Sequence, residues 1–270
     1  MFKTESVSTH IDRITTPFGV CVYLIKGENE GLLIDTGMGV GNLKAYVDTI
    51  FDKPYQTALT HGHCDHAGGA VQFDPVYLNP NDMELQLVHA SKQHRIFDVF
   101  HAPFPVPQGV SEDDFVEQKM DGYLPLDEDT VYDLGGVTVR WIACYGHTKG
   151  CMVPYIVEDE TMIIGDALGE NTLLHFPEST SVEAYRSSLL HLKSKAEHVR
   201  TFLRFHGNCT SKLAILDDTI ELCTEVMEEK DARIPVNMMG YEGFMARSKD
   251  HPGKEGNFIY DSKKIREEIR

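Results

Sequence analysis

The chain has 270 residues, 41% of them hydrophobic, enough to bury a sizeable core in one large domain or two small ones. Asp and Glu number 42 against 25 Lys and Arg, a formal charge of −17, so nucleic acid and anionic membrane surfaces are excluded as expected partners; only bound cations would offset that balance. No apolar run reaches the roughly 18 residues of a membrane span, and the first residues lack the basic-then-apolar order of a signal peptide. The six cysteines (Cys21, Cys64, Cys144, Cys151, Cys209, Cys223) form no CxxC pair, so free thiols and a cytoplasmic location are expected.

No internal repeat or Gly/Ser/Pro-rich linker divides the sequence, and a single domain over 1–270 is expected. Residues 18–26 are β-branched and aromatic (Val20, Val22, Tyr23, Ile25), 27–31 carry a turn signal, and 32–34 are a short apolar strand, which together predict a hairpin. Its exit, Asp35-Thr36-Gly37-Met38-Gly39, is glycine-rich, and a helix is expected over 42–51. A strand over 56–60 leads into a histidine cluster, and another follows at 76–78. Asn79 and Pro80 supply an N-cap and a first-turn proline for the next helix. Residues from about 80 to 125 read as a helical insertion with an irregular segment, because Phe97, Phe100, Phe104 and Phe115 sit among Pro103, Pro105 and Pro107. Hairpins are expected over 131–143, around Gly135-Gly136, and over 152–164. An amphipathic helix over 182–195 places Tyr185, Leu189 and Leu192 on one face. A core strand at 201–205 and a helix over 215–229 follow. The C-terminal extension from about 230 to 270 reads as irregular; its apolar cluster (Met238, Met239, Tyr241, Phe244, Met245) suits a lid, a dimer contact or packing. Strands and helices alternate, so the class is α/β, or α+β with mixed sheets.

The chemistry concentrates in Thr60-His61-Gly62-His63-Cys64-Asp65-His66, an HxHxDH pattern. Histidines two apart at a strand end point the same way, so His61 and His63 can reach one ion, and Asp65 and His66, where the chain turns, can reach a second. Imidazole and carboxylate donors suit zinc, and also iron or manganese. Cys64 reads as a small buried hydrophobe pointing away from the ions. His89, His94, His101 and His175 lie outside every motif and read as surface histidines.

Four further blocks stand in order along the chain: Ile34-Asp35-Thr36-Gly37, Gly146-His147-Thr148-Lys149-Gly150, Ile164-Gly165-Asp166 and Phe205-His206-Gly207. With HxHxDH they resemble the metallo-β-lactamase superfamily over roughly residues 18–210. The resemblance implies a four-layer αββα sandwich of two mixed β-sheets. It also implies a ligand set: His61, His63 and His147 on one divalent ion, Asp65, His66 and His206 on a second, and Asp166 bridging. Asp35 would hold the remaining N–H of a ligating imidazole and fix its tautomer.

Two such ions, zinc first with iron or manganese as alternatives, would lower the pKa of a shared water toward neutrality, and Asp65 would orient it and move a proton to the leaving group. The reaction expected is hydrolysis of a small-molecule ester, thioester or lactone. The bridging Asp166 is typical of the glyoxalase II and N-acyl-homoserine-lactone lactonase branches rather than of true β-lactamases. Tyr145 and Lys149 stand where many relatives carry proline; Tyr145 could donate to an oxyanion and Lys149 could meet an anionic substrate group. The alternatives are a di-iron redox or oxygen-handling protein on the same scaffold, against which His63 speaks because that branch places glutamate there, and a non-catalytic metal-binding protein. A homodimer through the apolar tail is a further expectation.

Overall fold

A computed structural model of the chain describes residues 2–101, 106–248 and 253–267. Pro103, Phe104 and Pro105 of the expected insertion lie outside the described residues. The chain separates into two compact units, the first made of residues 1–141, 156–159 and 205–207, the second of 142–155, 160–204 and 208–270.

The first unit is built on β1 (Lys3–Ser6), β2 (Ile11–Thr15), β3 (Cys21–Lys26), β4 (Gly31–Ile34), α1 (Leu43–Ile50), β5 (Tyr55–Ala58), α2 (Cys64–Ala67), β6 (Val76–Leu78), α3 (Met83–His89), α4 (Lys92–His101) and β7 (Tyr123–Pro125), with β8 (Val131–Asp133) and β9 (Thr138–Ala143) as a closing hairpin. Strands β1 to β7 form one sheet in sequence order. Its first half is antiparallel and its second half, from β4 through β7, is parallel, so the sheet is mixed. The expected 18–34 hairpin is β3–β4, in register Tyr23↔Ile34, and the 131–143 hairpin is β8–β9, in register Tyr132↔Val139. Both α1 and the turn entering α3 start as the sequence predicts: Asn42 accepts from the Ala45 N–H at 2.9 Å, and Asn79 accepts from the Asn81 N–H at 3.0 Å.

Ile14, Val22, Leu24, Leu33, Val47, Leu59 and Leu78 make the core of this unit. A smaller cluster of Val40, Val99 and Phe115 lies under α4. Arg95 fixes that helix: it is fully buried, and its guanidinium donates to the carbonyls of Ala90, Met38 and Val116 at 2.9, 3.0 and 2.7 Å. A buried cation whose three nitrogens each donate to a carbonyl, two of them far away in sequence, holds those segments in one arrangement. The insertion is helical in α3 and α4, as read from sequence. Its end, however, is a sheet element: β7 extends the parallel half of the sheet beside β6.

The second unit contains β10 (Met152–Ile156), β11 (Thr161–Ile163), β12 (Thr172–Leu174), α5 (Val182–Lys195), β13 (Thr201–Leu203), β14 (Thr210–Ser211), α6 (Ile215–Met227), β15 (Ile234–Met238), β16 (Tyr241–Met245) and β17 (Phe258–Tyr260). Strands β10, β11, β13 and β14 are neighbours in that order, with β11 and β13 parallel. Helix α5 spans the predicted residues, buries Tyr185, Leu189 and Leu192, and packs on α6. Its Ser181 cap accepts from the Ala184 N–H at 3.0 Å.

The tail is where expectation and structure part. It is not irregular: β15 and β16 form an antiparallel hairpin, and β17 joins them to β12 in a four-stranded mixed sheet. The connecting residues Met239 and Gly240 have φ of 54° and 83°, the left-handed pair of a type I′ turn. Within the apolar cluster Met245 is buried, whereas Met238, Met239 and Tyr241 at the hairpin end are exposed. Among the described residues, no helix is long and apolar enough to cross a membrane.

Candidate metal centre

Parallel strands β4 and β5 end side by side, with Ile34 opposite Ala58, and each hands the chain to a loop that carries chemistry. Asp35, the first residue past β4, donates its N–H to the Ala58 carbonyl at 2.9 Å and sits at φ 65°, a left-handed conformation that Asp tolerates better than most residues. This turn aims the carboxylate at the loop after β5. There it accepts from the Thr60 N–H at 2.7 Å, the Thr60 hydroxyl at 2.8 Å and the His66 Nδ1–H at 2.7 Å, all excluded from solvent. With Nδ1 committed as a donor to Asp35, Nε2 of His66 is the nitrogen with a lone pair for an ion.

His66 Nε2 lies 3.5 Å from Asp65 Oδ2, and His206 Nε2 lies 3.4 Å from the same oxygen. Phe205 positions His206: its carbonyl accepts from the Cys21 N–H on β3 at 2.8 Å, and its ring meets the His66 ring edge-on at 5.0 Å. The rings of His61 and His63 are 4.8 Å apart, and those of His61 and His66 4.2 Å. The loop is pinned from outside as well, because Asp82 accepts from the Gly62 N–H at 2.9 Å. His61, His63 and His66 are buried, Asp65 half-buried, and His206 exposed. The first unit thus gathers five predicted ligands and their predicted orienting residue.

In the second unit, His147 follows Gly146 in the turn between β9 and β10. Gly146 is required there: a Cβ on it would stand 2.1 Å from Cδ2 of the buried Tyr185 ring. The His147 Nδ1–H donates to the Leu173 carbonyl at 2.9 Å, and the Ser179 hydroxyl donates to the His147 carbonyl at 2.8 Å. Nε2 is thereby turned to Asp166, 3.7 Å from Oδ2. Asp166 sits in the single helical turn after β11, which the Tyr185 hydroxyl anchors through the Ala167 carbonyl at 2.8 Å. This unit therefore pairs the two predicted ligands it contains. Tyr145 is half-buried and Lys149 exposed in the same turn.

Three histidines read as surface residues are placed otherwise. His175 is buried, against Phe176 at 4.5 Å, and burial lowers its pKa below the ordinary 6.5. His89 stacks on His63 at 4.8 Å and lies equally far from His94. The only hint in the sequence was that His94 and Asp98 are four apart, one helical turn. Cys64 is buried as expected, but its thiol donates to Asp98 Oδ2 at 3.5 Å. Burial, with Asp65 and Asp98 adding to it, pushes that thiol well above its usual pKa. Thr60, Asp82 and Ser179, each a hydrogen-bonding support for a loop or a histidine, carry no sequence signature.

A family model described as the metallo-beta-lactamase superfamily matches residues 15–200. The chain belongs to that superfamily. Among similar proteins, "Acyl-coenzyme A thioesterase MBLAC2" of Bos taurus is 24% identical over 181 residues, 61% of this chain and 63% of that protein. "Atrochrysone carboxyl ACP thioesterase dmxR1" of a Cryptosporiopsis species is 26% identical over 159 residues, 57% of this chain and 40% of that one. The chain thus spans less than two thirds of the length of these relatives. A metallo-beta-lactamase from Pontibacter korlensis superposes with a TM-score of 0.57 at 18% identity, over 82% of this chain and 98% of that one. The inverting sec-alkylsulfatase Pisa1 from a Pseudomonas species gives 0.64 at 15%, over 85% and 42%. These likenesses confirm the metallo-β-lactamase fold, and with it the α/β class with mixed sheets read from the sequence.

Proposed function

We propose that the chain is a binuclear metallo-hydrolase that cleaves a thioester, with small esters and lactones as related substrates. The observation that carries the reading is the convergence of His66 Nε2 and His206 Nε2 on one oxygen of Asp65, with His66 oriented by the buried Asp35. Neutral imidazoles and a carboxylate so arranged fit divalent zinc, and iron or manganese by the same donor chemistry. The ligand set is that of the superfamily resemblance: His61, His63 and His147 for one ion, Asp65, His66 and His206 for the other, and Asp166 for both. When bound, such a pair activates water at neutral pH and polarises the scissile carbonyl.

The chain's own residues do the rest. Asp35 keeps His66 in the tautomer that presents Nε2. The Leu173 carbonyl does the same for His147. Asp65 Oδ2 orients the attacking water and takes its proton for the departing thiol. The Tyr145 hydroxyl donates to the developing oxyanion. Lys149 meets an anionic group of the substrate, as the phosphates of a coenzyme A or carrier-protein thioester would require. The thioester preference draws its support from the relatives named as acyl-coenzyme A and carrier-protein thioesterases.

The test combines elemental analysis of the purified protein with hydrolysis of acyl-coenzyme A esters, aryl esters and acyl-lactones. About two equivalents of metal, reduced in His63→Ala and Asp166→Ala along with thioesterase activity, is the expected outcome. No metal uptake when zinc, iron or manganese is supplied would overturn the reading.

A further inference from the structure

The HxHxDH pattern contains one residue that the proposed centre does not use. Cys64 opens α2, and its Sγ lies 3.5 Å from Oδ2 of Asp98 on α4. The same Asp98 oxygen lies 3.1 Å from Nε2 of His94, one turn earlier on that helix. One donor atom from each of the three residues falls within 4.8 Å of the other two, with Cys64 buried and His94 and Asp98 half-buried.

A His–Asp pair one turn apart on a helix is by itself an ordinary contact. What that account leaves unexplained is the thiol. A structural cysteine sits among apolar neighbours, whereas this one is held against a carboxylate that also engages an imidazole. The helix carrying both partners does not drift, because Arg95, between them in sequence, is buried and bound to three carbonyls. Thiolate, imidazole and carboxylate from two fixed helices are the mixed donor set that zinc and its borderline-soft neighbours take, and three protein donors leave a position for water or a further ligand.

We infer that Cys64, His94 and Asp98 form an additional transition-metal site, beside the HxHxDH ligands and separate from them in composition. It goes beyond the hydrolase reading and stands or falls apart from it. In this arrangement the cluster ties the start of α2, which carries Asp65 and His66, to α4.

Cobalt(II) tests this directly. The proposed binuclear set contains no thiolate, and among the described residues no other cysteine belongs to a group of three possible ligands. A thiolate-to-cobalt charge-transfer band in the near ultraviolet therefore reports this cluster alone. The metal-stripped protein, titrated with cobalt chloride, is expected to develop that band. Cys64→Ser should lose it and keep the visible bands of nitrogen- and oxygen-bound cobalt. His94→Gln and Asp98→Asn, at half-buried positions, should weaken the cobalt affinity read at the band by about tenfold or more, and they decide the matter if Cys64→Ser does not fold. No near-ultraviolet band at excess cobalt, or a band that persists unchanged in Cys64→Ser or in both helix variants, would overturn the site. Failure of the hydrolase reading looks different: thioesterase activity would be absent and cobalt uptake would stop at about one equivalent, while the thiolate band remained.

Discussion

Asp35 and His66, thirty-one residues apart, meet through a 2.7 Å hydrogen bond with neither side chain accessible to solvent. The same carboxylate holds the Thr60 N–H and hydroxyl, so one side chain fixes both the start of the HxHxDH loop and the tautomer of its last histidine. Asp35→Asn is the informative replacement, because asparagine also tolerates the left-handed backbone at φ 65°. The variant should fold and should lose about 10- to 100-fold in metal affinity, measured by competition with a chromogenic chelator. Unchanged affinity would mean that His66 orients without its carboxylate.

Chelation gives a second outcome. A ligand that binds only the folded chain stabilises it by about 4 kcal/mol at a thousandfold excess over its dissociation constant. Stripping the ions should therefore lower the melting temperature by roughly 10 °C and abolish hydrolysis, with both restored by zinc. Differential scanning calorimetry of the stripped and reloaded protein reads it.

Gly146→Ala probes the turn that presents His147. Its new methyl would begin 2.1 Å from the Tyr185 ring, which is fully buried and cannot swing aside. The expected cost is about 3 kcal/mol of stability, accompanied by weakened metal binding as His147 shifts. An alanine variant with the parent melting temperature would show that the ring has room to yield.

Lys149→Ala separates substrates. Loss of an exposed cation should raise KM for acyl-coenzyme A esters by several-fold, leave kcat within a factor of two, and leave neutral aryl esters unaffected. Equal effects on both classes would remove Lys149 from substrate recognition. High salt should erase the difference between parent and variant.

His175 supplies a pH dependence. Its folded pKa is depressed by burial below the unfolded 6.5. Between the two values the unfolded chain binds the extra proton, so stability rises with pH there. Its contribution is fully present above about pH 6.5 and is lost as pH falls through the folded value. His175→Phe, which keeps a ring against Phe176 and Tyr241, should therefore flatten the decline in melting temperature between pH 7 and pH 5. An unchanged slope would place the acid sensitivity elsewhere.

What the sequence made legible is what is local. His61, His63, Asp65 and His66 lie within six residues, so their spacing carries their geometry, and Asn79 with Pro80 announces its helical turn by capping chemistry alone. The placing of His89 against His63, and of His94 against His89, is not legible in the sequence because it depends on how α3 passes into α4. Strands β1 and β15 leave no signal in the sequence for a different reason. Each is almost wholly exposed, so neither shows the apolar alternation that marks a half-buried strand. The turn between β15 and β16 uses Met239-Gly240 in place of the usual Asn-Gly or Asp-Gly, and the signal for a hairpin went with it.

The first unit is assembled from three stretches of chain, and its last, residues 205–207, delivers His206. Four of the five side chains gathered there are translated within six residues of one another; the fifth emerges from the ribosome 140 residues after His66. Closing a loop of that length is opposed by about 4 kcal/mol of chain entropy. On the proposed ligand set, the site at Asp65 and His66 would be complete only after the chain has passed β13 and reached residue 206. A chain that stops short of residue 206 would carry the HxHxDH signature without the proposed third ligand of that ion.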